Sequence, residues 1–233
     1  MNINSKKDFD RTSVNLIERI HKPTTEEFKQ KIFHSRKPVI ITGKMNDWKA
    51  SYLWSIDYLN TVVGNKEIIV NVSKNQRFML DPEAGFTRVV KKIKLTELMD
   101  WIVQEKPANE YYYLVQSPIK ITFPELVSDI EVPDYIDQKL LQVTNLWIGA
   151  GGNISPLHHD LSENLLCQVR GRKRILLFEP KQTSLLYPFP AHSKILNMSQ
   201  LNIDKPELDK FPKFQKAKYT ELSLIHISEP TRP

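Results

Sequence analysis

The sequence predicts an α+β chain with helices first and short strands later, its C-terminal half closing as a sandwich or barrel. Two observations carry this. Apolar residues recur at helical spacing through the N-terminal half, at Phe28/Ile32, Leu59/Val62/Val63 and Leu95/Leu98/Met99/Ile102. Beyond them, short aromatic and β-branched runs are separated by Pro, Gly and charged turns.

The first helix opens at Thr24, because Thr24-Thr25-Glu26-Glu27 has the form of a capping box and Phe28 and Ile32 then share a face. Arg36 to Gly43 reads as a short buried strand closed by glycine, with Trp48 after it. Ser55 caps a second helix that Gly64 ends. Glu67 to Val72 is a β-branched strand, and Thr96 to Val103 is helical. The strands that follow are Tyr111 to Val115, Val143 to Ile148, Leu165 to Val169 and Arg174 to Phe178. Lys205 to Lys218, rich in Pro and Lys, reads as a long surface excursion between strands. No repeat, low-complexity linker or sharp domain boundary interrupts the chain.

Composition narrows the function classes. With 233 residues, 40% hydrophobic and 26% charged, the chain is globular, neither a disordered tail protein nor a membrane protein. Its 33 basic and 27 acidic residues leave a formal charge of +6, a mild lean toward an anionic ligand or partner. Cys167 is the single cysteine, so this chain alone builds neither an internal disulfide nor a thiolate zinc site, and a reducing compartment is expected. No apolar run follows the first lysines and no stretch is long enough to span a bilayer, so a cytoplasmic location without membrane contact is expected.

The chemistry-bearing constellation is Ile154-Ser155-Pro156-Leu157-His158-His159-Asp160. On an extended segment residues i and i+2 point to one face, so the imidazole of His158 and the carboxylate of Asp160 converge while His159 faces away. That is a His-x-Asp half-site, two of the three donors used by non-haem iron(II) oxygenases. Standing alone, the same pair is equally at home on a solvated strand end. Arg170-Gly171-Arg172-Lys173 joins two strands; it reads as a solvated loop, with a nucleic-acid patch as a second reading. Lys173 alternates with Ile175 and Leu177 and so points inward, where an ammonium needs an anion. Gly149, Gly151 and Gly152 precede no helix, which argues for a tight approach of strands over a dinucleotide loop. Ser155, His158 and Asp160 lie too close on one strand for a hydrolase relay. Cys167 reads as a core residue.

Trp147-Ile148-Gly149 through Asp160, then Asn164, then Gly171-Arg172-Lys173, resembles the JmjC-domain and cupin-like iron(II)/2-oxoglutarate hydroxylases, particularly the peptidyl-arginine hydroxylase branch. Tyr113-Leu114-Val115-Gln116, Pro124-Glu125-Leu126, Ile130 to Tyr135, Leu186-Tyr187-Pro188 and Pro206 to Phe214 continue the likeness, which runs from about Lys37 to Tyr219. The resemblance implies a double-stranded β-helix (jelly roll) with N-terminal helices. It implies iron(II) held by His158 and Asp160, and 2-oxoglutarate as co-substrate. Lys173 would hold the distal carboxylate with hydroxyls from Tyr113 and Ser155, Asn164 would lie beside the co-substrate, and Trp147 would line the pocket. The implied reaction is hydroxylation of a protein or peptide side chain. A tRNA-modifying hydroxylase of the same fold and a non-catalytic cupin-like binding module are the alternatives.

One departure stands out. The family's third iron ligand is a histidine after a Pro-Gly-acidic turn expected shortly after Tyr219, and Leu222 to Pro233 contains no such turn. These residues read as an adapter-encoded tail, and His226 is not promoted to the third ligand. The expected division is therefore a helical segment over 1–35, an incomplete JmjC/cupin-like domain over 36–221 with its last strands missing, and a foreign tail over 222–233. On that reading the parent is an oxygenase and the chain as written is inactive.

Overall fold

The structure, a computed structural model, describes residues 17–35, 37–78, 89–104 and 109–226, the side chains of 225 and 226 excepted. The tail beyond residue 226 and the imidazole of His226 thus lie outside the described residues.

Strand β1 (Arg19–His21) runs parallel to β2 (Ile40–Thr42). Between them the capping box forms as predicted: Thr24 Oγ1 accepts from the Glu27 amide at 3.2 Å, and the Glu27 carboxylate accepts from the Thr24 amide at 3.0 Å. Helix α1 (Thr25–Glu27) passes at once into a π-helical segment, Phe28–Phe33. Phe28 and Ile32 do share a buried face there, and Tyr135 completes the cluster with its ring stacked on Phe28 at 4.5 Å.

Helices α2 (Lys49–Leu53) and α3 (Ile56–Val63) follow. Ser55 accepts from the Tyr58 amide at 3.1 Å and Gly64 is the C-cap. Leu59 and Val63 are buried, but Val62 is exposed, so the apolar face of α3 is narrower than its spacing predicts.

Strands β3 (Glu67–Ser73), β4 (Val90–Lys94) and β5 (Tyr111–Pro118), with helix α4 (Leu95–Gln104), helix α5 (Ile119–Thr122) and strand β6 (Asn145–Gly149), build the principal sheet and its cover. The sheet is antiparallel in the order β4-β3-β5-β6. Ile68 and Val70 point to its buried face, as the alternation of β3 requires, and α4 contributes Leu95, Leu98 and Met99. Each such side chain, fully buried, contributes about 1.5–3 kcal/mol. Strand β5 is bulged between Leu114 and Ser117, with Gln116 at φ +50°. Strand β7 (Gly171–Phe178) pairs with β8 (Tyr219–His226), and the Arg174 guanidinium donates to both Glu221 oxygens at 2.8 and 2.7 Å.

Two expectations need correction. Leu165 to Val169 is not a strand: the segment is irregular, with Leu165 and Leu166 exposed. Apolar run length is not enough without a neighbouring ladder, and β7 takes β8 as its partner. Lys205 to Lys218 is not a mere surface excursion either. Phe211, Phe214 and Ala217 are buried with Leu201 in a cluster that also gathers Phe178, Leu186 and Tyr187. Its lysines face solvent while its phenylalanines anchor it.

Contacts divide the chain into two compact units. One comprises Arg19–Pro156 with Val169–Gly171, and the other Leu157–Gln168 with Arg172–Ile225. Among the described residues no helix is long and apolar enough to cross a membrane.

Candidate functional site

In the unit that contains Leu157–Gln168, the side chains of His158 and Asp160 lie together, as the i, i+2 spacing predicts. His158 Nε2 stands 3.6 Å from Asp160 Oδ1. The other carboxylate oxygen, Oδ2, accepts from Asn164 Nδ2 at 2.6 Å. Asp160 therefore has one oxygen held and one turned to the imidazole. Both side chains are partly exposed, 38% for His158 and 55% for Asp160.

A second segment clamps this loop from outside. His158 forms a β-bridge with Met198, the His159 amide donates to the Asn197 carbonyl at 3.0 Å, and Asn197 Nδ2 donates to the His159 carbonyl at 3.0 Å. The Ser199 amide donates to the Leu157 carbonyl at 2.9 Å. These bonds hold the backbone on both sides of His158, and nothing in the local sequence around Asn197 announces them.

Lys173 is half-buried on β7 and burial alone lowers its ammonium below the ordinary lysine range. The inward direction predicted from its alternation agrees with this. The rest of the basic turn is not a uniform patch. Arg170 is committed to backbone, donating through Nε to the Trp54 carbonyl at 2.6 Å and through Nη2 to that of Tyr52 at 3.4 Å. Arg172 is exposed. Cys167, read from the sequence as a core residue, is only half-buried on this irregular segment, and burial pushes its thiol up to about 11.

Tyr113 and Ser155 belong to the other unit. Ser155 is exposed. Tyr113 is buried, its ring 5.3 Å from that of Phe78, and burial raises its phenol so that it stays a neutral donor. It lies directly opposite Gly149 in the β5–β6 register. Trp147, two residues earlier on β6, is 39% exposed.

The donor set suits a borderline divalent cation: one imidazole and one carboxylate on a common face, the carboxylate oriented by an amide. Among the described residues no group of three or more His, Cys, Asp or Glu gathers to complete it. The half-buried ammonium of Lys173 is likewise suited to an anionic oxygen.

Residues 24–226 match the cupin-like domain family. The chain is 37% identical to lysine-specific demethylase 8 of Danio rerio over 216 residues, which is 89% of the chain and 51% of that protein. It is 30% identical to tRNA wybutosine-synthesizing protein 5 of Homo sapiens over 226 residues, 89% of the chain and 68% of that protein. With JmjC domain-containing protein D of Dictyostelium discoideum it shares 29% identity over 229 residues, 90% of the chain and 50% of that protein. The chain thus spans about half the length of the demethylase and of the Dictyostelium protein. The match bears out the jelly-roll α+β class implied by the sequence resemblance.

Proposed function

The chain belongs to the cupin-like domain family, with JmjC-domain proteins among its relatives, and from that premise we propose that it is the oxygenase domain of an iron(II)/2-oxoglutarate-dependent hydroxylase acting on a protein side chain. The observation that carries this is the Asp160 carboxylate held by Asn164 on one oxygen and facing His158 with the other. His158 and Asp160 would hold the iron, and the distal carboxylate of 2-oxoglutarate would go to Lys173, with the hydroxyls of Tyr113 and Ser155 as further donors. Asn164 holds Asp160 in place. When bound, iron(II) with 2-oxoglutarate supplies the oxidising chemistry: dioxygen gives one atom to a substrate C–H bond and the other to succinate, with loss of carbon dioxide.

The chain's own residues do the rest. The Asn197–Ser199 clamp fixes the backbone that carries His158, which would limit the reorganisation needed for its imidazole to reach a metal. Burial keeps Tyr113 protonated, hence a hydrogen-bond donor. The ammonium of Lys173 gives a charge-assisted contact of about 1.5–3 kcal/mol. The single cysteine suits a cytoplasmic setting.

A protein substrate is favoured by the relative named for lysine demethylation. A tRNA substrate is the second reading, favoured by the net charge of +6 and by the relative named for wybutosine synthesis in tRNA. The test uses a full-length version of the protein: anaerobic binding of 2-oxoglutarate with iron(II), then succinate release on admitting oxygen, followed by mass spectrometry of host protein and host tRNA for an added oxygen. Oxygen on protein supports the first reading and oxygen on tRNA the second. RNA binding would also weaken steeply with salt, whereas peptide docking would respond little. Absence of any metal or 2-oxoglutarate binding would make the domain a non-catalytic module.

A further inference from the structure

Strands β5 and β6 pair antiparallel with Tyr113 directly opposite Gly149. In such a pair the two side chains share one patch of a sheet face. Here the fit is close. A Cβ added at Gly149 would stand 2.7 Å from Cδ2 and 3.1 Å from Cε2 of the Tyr113 ring, and 2.4 Å from Nδ2 of Asn153. The Asn153 amide reaches back to the Tyr112 carbonyl at 3.5 Å, so it borders the same space. The ring also meets that of Phe78 at 5.3 Å, and Tyr113 as a whole is 9% exposed. The ring is thus in contact with Phe78 and with the bare site at Gly149 on β6. Gly149 does not owe its identity to backbone conformation, since it is Gly43, Gly152 and Gly171 that take positive φ. Its lack of a side chain serves the ring.

We propose that Gly149 is a positioning residue: the empty site it leaves on β6 lets the Tyr113 ring lie across the strand, and this sets where the Tyr113 hydroxyl stands to receive a carboxylate-bearing co-substrate. The inference rests on the assignment of Tyr113 as a co-substrate donor, and it adds the residue that aims it. A methyl at position 149 cannot be absorbed by backbone without breaking the β5–β6 ladder, whereas a tilt of the ring moves the phenol oxygen most, because that atom is farthest from the Cβ pivot.

Calorimetric titration of a full-length version of the protein with 2-oxoglutarate in the presence of manganese(II) reads this directly, with manganese(II) affinity measured separately. Gly149→Ala is expected to weaken 2-oxoglutarate roughly 10-fold, a loss of about 1.4 kcal/mol, with manganese(II) affinity unchanged. Tyr113→Phe is expected to weaken it similarly, and adding Gly149→Ala to Tyr113→Phe is expected to cost little more, because the hydroxyl that the glycine aims is already gone. A merely structural glycine would show the same loss in both backgrounds, and that result overturns the proposal. If Gly149→Ala does not melt cooperatively, the double variant Gly149→Ala/Asn153→Ala relieves the 2.4 Å collision and keeps the one with the ring; it should show the same weakened binding. Wild-type affinity in either of these alanine variants overturns the inference alone. A wild-type chain that binds no 2-oxoglutarate, or binds it equally well as Tyr113→Phe, overturns the underlying assignment and the inference with it.

Discussion

Asn164 Nδ2 donates to Asp160 Oδ2 at 2.6 Å, and the remaining oxygen of that carboxylate is the one that faces His158, 3.6 Å away. The amide thus decides which edge of the carboxylate is available. Removing it leaves Asp160 in place but free to rotate.

In a full-length version of the protein, Asp160→Ala should abolish both metal binding and succinate formation, because it removes the anionic donor. Asn164→Ala should instead lower metal affinity by about 10- to 100-fold, the usual cost of losing a group that orients a ligand. Equilibrium titration with iron(II) or manganese(II) separates the two. Equal losses would show that Asn164 does more than orient Asp160.

Lys173→Met should raise the 2-oxoglutarate requirement by roughly 10- to 100-fold, the loss of a charge-assisted contact, with metal affinity nearly intact. The wild type should also carry a pH signature. Burial lowers the Lys173 ammonium, so as pH rises the folded chain loses this proton before the unfolded chain does. Below the lowered value the buried charge is a full cost; through the window up to the ordinary lysine value the unfolded state holds more protons, and stability rises with pH. Affinity for 2-oxoglutarate should fall across that same window. Both effects should vanish in Lys173→Met, as read from urea melts and titrations over an alkaline series.

Cys167 should resist thiol reagents. Its pKa of about 11 leaves almost no thiolate at neutral pH, and it is the thiolate that reacts. A disulfide-exchange dye should label the native chain slowly and the urea-unfolded chain at once. Rapid labelling of the native chain would mean the segment around Cys167 opens readily.

Asp129 is buried, 4% exposed, and accepts from Trp54 Nε1 at 3.0 Å and from Tyr58 Oη at 2.8 Å. Asp129→Ala leaves both donors without an acceptor and should destabilise by about 2–4 kcal/mol. Intrinsic tryptophan fluorescence followed through a urea melt gives the change. A loss well below 1 kcal/mol would mean that water replaces the carboxyl.

Local signals were legible in the sequence. The capping box at Thr24, the Ser55 cap, the alternation of β3 and the i, i+2 convergence of His158 and Asp160 each depend on neighbours a few residues apart. Short-range backbone geometry decides such contacts, so residue type and spacing suffice. The inward direction of Lys173 followed from strand period for the same reason.

What only the tertiary structure decided involves residues far apart in the chain. The strand expected at Leu165 to Val169 depended on a partner that the chain does not place there, and a run of apolar residues cannot report its neighbour. The burial of Phe211 and Phe214 beneath a lysine-rich surface is set by Leu201 and Phe178. The clamp of Asn197 on His159, and Gly149 standing opposite Tyr113, are matters of register between distant segments. Register is chosen by the packing of whole faces against one another, so a polar side chain finds its partner, and a glycine its ring, only once the strands have met.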